Sequence, residues 1–157
     1  MKWNDRLARE AKLWAEDLRR RNARGHDKQN GGMRRGYPAG VTIGENVGRK
    51  SVNVGSDLEN AISCADVVRR WYLERDLYDY DNPGHKKMGS KDDDMIGHFT
   101  QLIWKGTTEV GMALVSRTFP HGSVMWYWVA RYKPGGNIQN LERKDGQDYR
   151  KCIDAER

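Results

Sequence analysis

The sequence predicts an α/β fold, an α/β/α sandwich, on three observations: an amphipathic helical stretch near the start, a second helical stretch in the middle, and a late strand that is apolar on both faces. A length of 157 residues suits one ordinary domain with a real core. Hydrophobic residues make up 37%, with six Trp and seven Tyr, which excludes a disordered chain, while 32% charged residues predict an ion-dense surface.

Taken in order, Trp3, Leu7, Ala11, Trp14 and Leu18 recur at helical spacing and share one face of a first helix, which should end by Gly25. Residues 25–56 are rich in glycine and contain Pro38, so they read as an extended loop with a short strand near 41–47. Ser56 and Glu59 fit a capping box, predicting a second helix over 57–77 that carries Val67, Trp71, Glu74 and Tyr78 on one face. Residues 79–97 form a turn-rich, solvated connection with Pro83, Gly84 and three consecutive aspartates. Three strands follow, at about 99–104, 109–115 and 124–132. The last is apolar on both sides, as a covered central strand should be. The domain then spans 1–140, and 141–157 is a polar tail.

A formal net charge of +6 and a pI near 9.4 imply attraction to something anionic. The cations gather at Arg19, Arg20, Arg21, Arg24, Arg34 and Arg35, but no nucleic-acid motif surrounds them, and a solvated helix end explains the first group. Nucleic acid is therefore not an expected partner. Two cysteines, Cys64 and Cys152, leave one bridge or two thiols equally open. No apolar run approaches a membrane span, and the first twenty residues lack the apolar core of a signal peptide. That pattern fits a cytosolic chain or one whose natural start lies upstream.

Two of the four histidines, His85 and His121, fall in polar turns. His26 opens the glycine-rich segment, and His98 sits where that reading begins a strand. Glu74 shares a face with Trp and Val, and Glu45 lies between glycines in Gly44-Glu45-Asn46-Val47-Gly48. A carboxylate taken out of water needs a partner. Two imidazoles and two carboxylates meeting in a cleft would suit zinc or another divalent metal, and a cluster of structural hydrogen bonds accounts for the same residues.

The stretch "GHFTQLIWKGTTEVG" followed by "WYWVARYKPGGN" resembles the two signature segments of the CAP superfamily, the cysteine-rich secretory, antigen 5 and pathogenesis-related 1 proteins, also called SCP domains. "IGENVG", "RWYLE", "YDYDNPG" and "WNDRLAREAKLWAEDL" add to the match, which runs in order over about residues 3 to 138. The resemblance implies a three-layer α/β/α sandwich with a small, mainly antiparallel central sheet. It implies that His26, His98, Glu45 and Glu74 form a tetrad around a cavity, with the histidines holding a divalent metal such as zinc in some members. Asn46, Gln101, Tyr132, Pro134 and Asn137 match architectural signature positions. The helix that the family places before the segment matched by Trp3 is missing, so the chain looks N-terminally shortened, with part of the sandwich exposed. Met112 and Ala130 stand where secreted members carry cysteines, which makes the chain most similar to the cysteine-poor, Golgi-associated plant pathogenesis-related type.

By resemblance the expected function is non-catalytic binding of a lipid: a sterol, a fatty acid or an anionic membrane lipid. A homodimer is a further expectation, as is an extracellular location, with the cytosolic face of Golgi membranes as the alternative. Two other readings are a secreted defence or venom-type interaction protein and a metal-assisted hydrolase or protease with Glu45 or Glu74 as base.

Overall fold

The computed structural model describes residues 1–28, 36–53 and 62–137. It is a four-stranded sheet between helical layers. A short strand β1 (Lys2–Trp3) leads into helix α1 (Asp5–Arg21), and strand β2 (Gly44–Val52) follows. Helix α2 (Cys64–Leu73) runs into a 3-10 turn (Glu74–Leu77), after which come helix α3 (Gly97–Leu102) and the hairpin of β3 (Glu109–Thr118) and β4 (Val124–Lys133). The strand order is β1-β3-β4-β2, with β1 parallel to β3 and the other two pairings antiparallel. This is the expected mainly antiparallel α/β/α arrangement.

The alternation of β4 organises both cores. Tyr127 and Val129 face α1 and meet Ala11, Trp14, Ala15 and Leu18. Trp128, Ala130 and Tyr132 point the other way, toward Val67 and Trp71 of α2. Fully burying each such side chain contributes roughly 1.5–3 kcal/mol, so the two layers hold the sheet from both sides. Gly111 lets α1 approach closely: a Cβ there would fall 2.1 Å from the backbone nitrogen of Ala8. Met112 and Ala130 are direct cross-strand partners facing α2, an apolar pair at the two positions where the resemblance implies cysteines.

Several elements differ from the sequence reading. Trp3 is not on the first helix; it lies in β1, well exposed, because Asn4 caps α1 with its side-chain oxygen accepting from the Arg6 and Leu7 amides. The helix ends at Arg21, capped by Asn22 in the left-handed region at φ 50°. The short strand expected near 41–47 is a nine-residue strand beginning at Gly44. Gly48 does not interrupt it, since that position lies against the Trp128 indole, where a Cβ would sit 2.2 Å from Nε1.

The second helix starts at Cys64, not near 57. Ser63 caps it in a reciprocal box with Asp66: the Asp66 amide donates to Ser63 Oγ at 3.1 Å and the Ser63 amide to Asp66 Oδ2 at 2.9 Å. The expected box at Ser56 and Glu59 lies outside the described residues, as do Arg34, Arg35, Cys152 and the tail. The strand expected at 99–104 is helix α3. Its apolar run is short enough to serve either period, and a helix lets Phe99 and Trp104 share one cluster with Tyr78.

Candidate functional site

The four tetrad residues assemble as two His–Glu pairs beside the edge strand β2. In the first pair, His98 at the start of α3 meets Glu74, which opens the 3-10 turn after α2. Glu74 Oε1 accepts from His98 Nδ1 at 2.6 Å, while Oε2 accepts the backbone amides of His98 and Phe99 at 3.1 and 3.2 Å. One carboxylate thereby supplies the N-terminal acceptor that the short helix lacks among its own side chains. The His98 ring stacks on Trp71, centroids 5.5 Å apart, and its Nε2 lies 3.2 Å from the Val47 carbonyl of β2. The pair clamps α2, α3 and the sheet edge together.

The second pair belongs to a larger charge cluster. Glu45 and Arg131 are directly opposed on β2 and β4, and both are buried. Glu45 Oε1 accepts from His26 Nδ1 at 3.0 Å and from the Asp27 amide at 3.1 Å, and Oε2 accepts from Arg131 Nε at 3.4 Å. Arg131 also donates to Asp27 Oδ2 at 2.7 Å and lies 3.6 Å from Glu10 of α1. Glu10 in turn accepts from the Tyr37 hydroxyl at 3.0 Å. Burial, together with that bond to a carboxylate, pushes the Tyr37 phenol up to about 12. Arg131, Asp27, Glu10 and Tyr37 did not stand out in the sequence; the signal was Arg131 itself, a buried charge directly after the apolar run of residues 124–130 in β4.

The signature residues brace the same region. Asn46 turns to the opposite face from Glu45 and donates to the His98 carbonyl at 3.1 Å and to the Tyr132 hydroxyl at 3.2 Å. Burial pushes the Tyr132 phenol well above its ordinary value, an effect partly offset by Asn46. Gln101 donates to Thr107 at 3.1 Å and accepts the Gly136 amide at 2.8 Å. The Pro134 carbonyl accepts from Thr107 at 2.9 Å, and Asn137 donates to the Gly97 carbonyl at 2.8 Å. These bonds fix the segment after β4 against the start of α3. Of the remaining histidines, His85 and His121 are exposed, as their polar turns predict.

The metal question can be put to this geometry. Among the described residues, no three His, Cys, Asp or Glu side chains come together as ligands. Nδ1 of His98 faces Glu74 and its Nε2 faces the Val47 carbonyl, while Glu45 is occupied by Arg131, His26 and a backbone amide, so the four residues do not converge on one point. As placed, the donor set does not fit a metal, and nothing below is routed through one.

A different surface offers space. Between α2 and the β1–β3 edge runs an open groove of about 620 Å³, lined by Trp3, Cys64, Ala65, Val68, Tyr72, Val110 and Met112, with Arg69 its one charged lining residue. Trp3, Val68 and Tyr72 are exposed despite their apolar surface. Neither the sequence periodicity nor any motif marked the groove, because its residues come from three separate elements.

Comparison with known proteins agrees with the architecture. The profile described as the cysteine-rich secretory protein family, CAP, matches residues 1–132. Venom allergen 5.02 of Vespa crabro is 28% identical over 145 residues, covering 90% of this chain and 61% of that protein. Protein PRY2 of Saccharomyces cerevisiae is 38% identical over 84 residues, covering 54% of this chain and 22% of that one. The crystal structure of NaASP2 with Zn2+ superposes with a TM-score of 0.57 at 20% identity, covering 88% of this chain and 62% of that chain. The chain thus spans less than two thirds of the length of these relatives. With the sandwich, the paired His and Glu residues and the braces around α3 all in position, this chain belongs to the CAP family of cysteine-rich secretory proteins.

Proposed function

We propose that this CAP domain is a non-catalytic lipid-binding protein and that the apolar part of its ligand lies in the groove between α2 and β3. The observation that carries the reading is the groove itself: aromatic and aliphatic side chains facing solvent, with a volume inside the roughly 300–1,000 Å³ of small-molecule sites. Covering that surface removes apolar area from water, which favours a long acyl chain or a sterol ring system. Arg69 gives the groove a cation suited to an anionic headgroup or a carboxylate. Catalysis has less support, since the Glu45 and Glu74 carboxylates are committed to bracing contacts. The proposal includes an extracellular location, supported by relatives named for venom.

The test is displacement of a fluorescent long-chain fatty acid from the protein. Ala65 and Val68 are exposed on α2, so Ala65→Glu and Val68→Glu leave the cores alone while placing a charge in the groove. Each is expected to weaken binding at least tenfold, the effect of roughly 1.4 kcal/mol. Undiminished binding by both folded variants would remove the groove from the account.

A further inference from the structure

Strand β3 is ten residues long, yet on the side away from β4 it meets only β1, which covers Glu109 and Val110 alone. Asn4 caps α1 and turns the chain off the sheet, so among the described residues nothing pairs with the rest of this edge, from Gly111 to Thr118. The Val110 carbonyl accepts the Asn4 amide, which shows that the Val110 backbone faces outward. Antiparallel alternation then turns the amides and carbonyls of Met112, Leu114 and Ser116 outward as well.

Open edges are ordinarily guarded by a charge, a proline or a bulge. Here the register with β4 runs unbroken from Glu109 to Thr118, which excludes a bulge, and the strand contains no proline. Its two charges stand toward its ends: Glu109, held by Lys133 at 2.9 Å, and Arg117. Between them Met112, Ala113, Leu114 and Val115 are only half-buried, although Tyr127 to Tyr132 of the neighbouring central strand are buried. Helices cover both faces of the sheet, so that difference places the remaining exposure at the edge. The flanks are apolar too, with Val68 and Tyr72 of α2 exposed on one side and Leu13 of α1 on the other.

We propose that this edge takes an added strand from an acidic, extended peptide segment of a partner protein. Backbone donors and acceptors at strand spacing call for a partner that carries the same groups, which a hydrocarbon tail does not. Side chains of the added strand lie alternately over the Val68 flank and the Leu13 flank. The cations set the charge of the peptide. Arg69 stands on the α2 flank, and Arg117, which makes no ion pair among the described residues, on the α1 flank. The carboxylates that share the cleft with Arg117 are engaged, Glu16 with Lys12 and Asp17 with Arg20 and Arg21. Charge also disfavours a second copy as the added strand, because each copy brings a net charge of +6 and its own Arg117 to the seam. The edge continues to Thr118, whereas the proposed acyl groove reaches β3 only at Val110 and Met112, so strand pairing does not depend on a bound lipid.

A fluorescein-labelled peptide as long as β3, in which valine alternates with aspartate and threonine, tests the assignment by fluorescence anisotropy and amide hydrogen exchange. Saturable binding is expected, with new protection at the Met112, Leu114 and Ser116 amides and none along the β2 edge. Ser116→Pro removes an outward amide that β4 does not use, and should weaken binding at least about tenfold. The same variant should leave fatty-acid displacement unchanged, which separates failure of this edge from failure of the groove. Arg117→Glu alters an exposed side chain without touching the backbone; it too should weaken binding, and should shift preference to a peptide with lysine in place of aspartate. Absence of binding by the parent, binding that survives both variants, or protection confined to β2 would overturn the assignment. Protection of the β3 amides that appears without peptide and rises with protein concentration would overturn it as well, in favour of pairing between two copies.

Discussion

Arg131→Met is expected to destabilise the fold by about 3–5 kcal/mol, because it strands the buried Glu45 carboxylate beside Asp27 and Glu10 with their common cation gone. The side chain of Glu45 has no exposure to water, so solvent cannot replace Arg131. Urea denaturation followed by tryptophan fluorescence measures the loss. Adding Glu45→Leu to the variant should recover part of it, since the worst-placed orphan charge is then removed as well. A loss below about 1 kcal/mol for Arg131→Met would mean that the cluster is solvated and the buried network is not as described.

The second large effect is expected from Glu74→Ala, at about 3 kcal/mol, because the backbone amides of His98 and Phe99 and the His98 ring all lose their acceptor at once. Glu74→Gln should cost less. Its carbonyl oxygen still accepts from backbone, but its amide cannot take the proton that His98 Nδ1 donates. Amide hydrogen exchange reports the difference locally: protection at His98 and Phe99 should collapse in Glu74→Ala and survive in part in Glu74→Gln. Unchanged protection in both would show that α3 is held by its apolar contacts alone.

These two clusters also show what a sequence can and cannot disclose. The sheet and its covering helices were legible because they rest on periodicity: Leu7, Ala11, Trp14 and Leu18 repeat at helical spacing, and β4 is apolar on both faces. Helix α3 was not legible as a helix. Six residues give too little pattern to separate two periods, and the decision is made by Glu74, which accepts the first amides from twenty-four residues away. The cap of α2 escaped notice for a smaller reason, since Asp66 is shorter than the glutamate or glutamine usual at that position yet reaches the Ser63 amide.

The site residues were legible as types and only partly as an arrangement. The resemblance implied His26, Glu45, Glu74 and His98 as a group, and the structure joins them two by two. What divides them is not in the motif. Arg131 takes the free side of Glu45, and the Val47 carbonyl takes the second nitrogen of His98, both through sheet register that one sequence does not encode locally. The groove was invisible for the same reason, being built from β1, α2 and β3.

The central claim is that this chain holds a lipid in the groove, with its His–Glu pairs serving as braces. Native mass spectrometry of the purified protein after mild desalting addresses both parts in one spectrum. The account predicts a lipid-mass adduct that disappears in Val68→Glu and persists in His98→Asn. A zinc-mass adduct without lipid, lost in His98→Asn and kept in Val68→Glu, would contradict it.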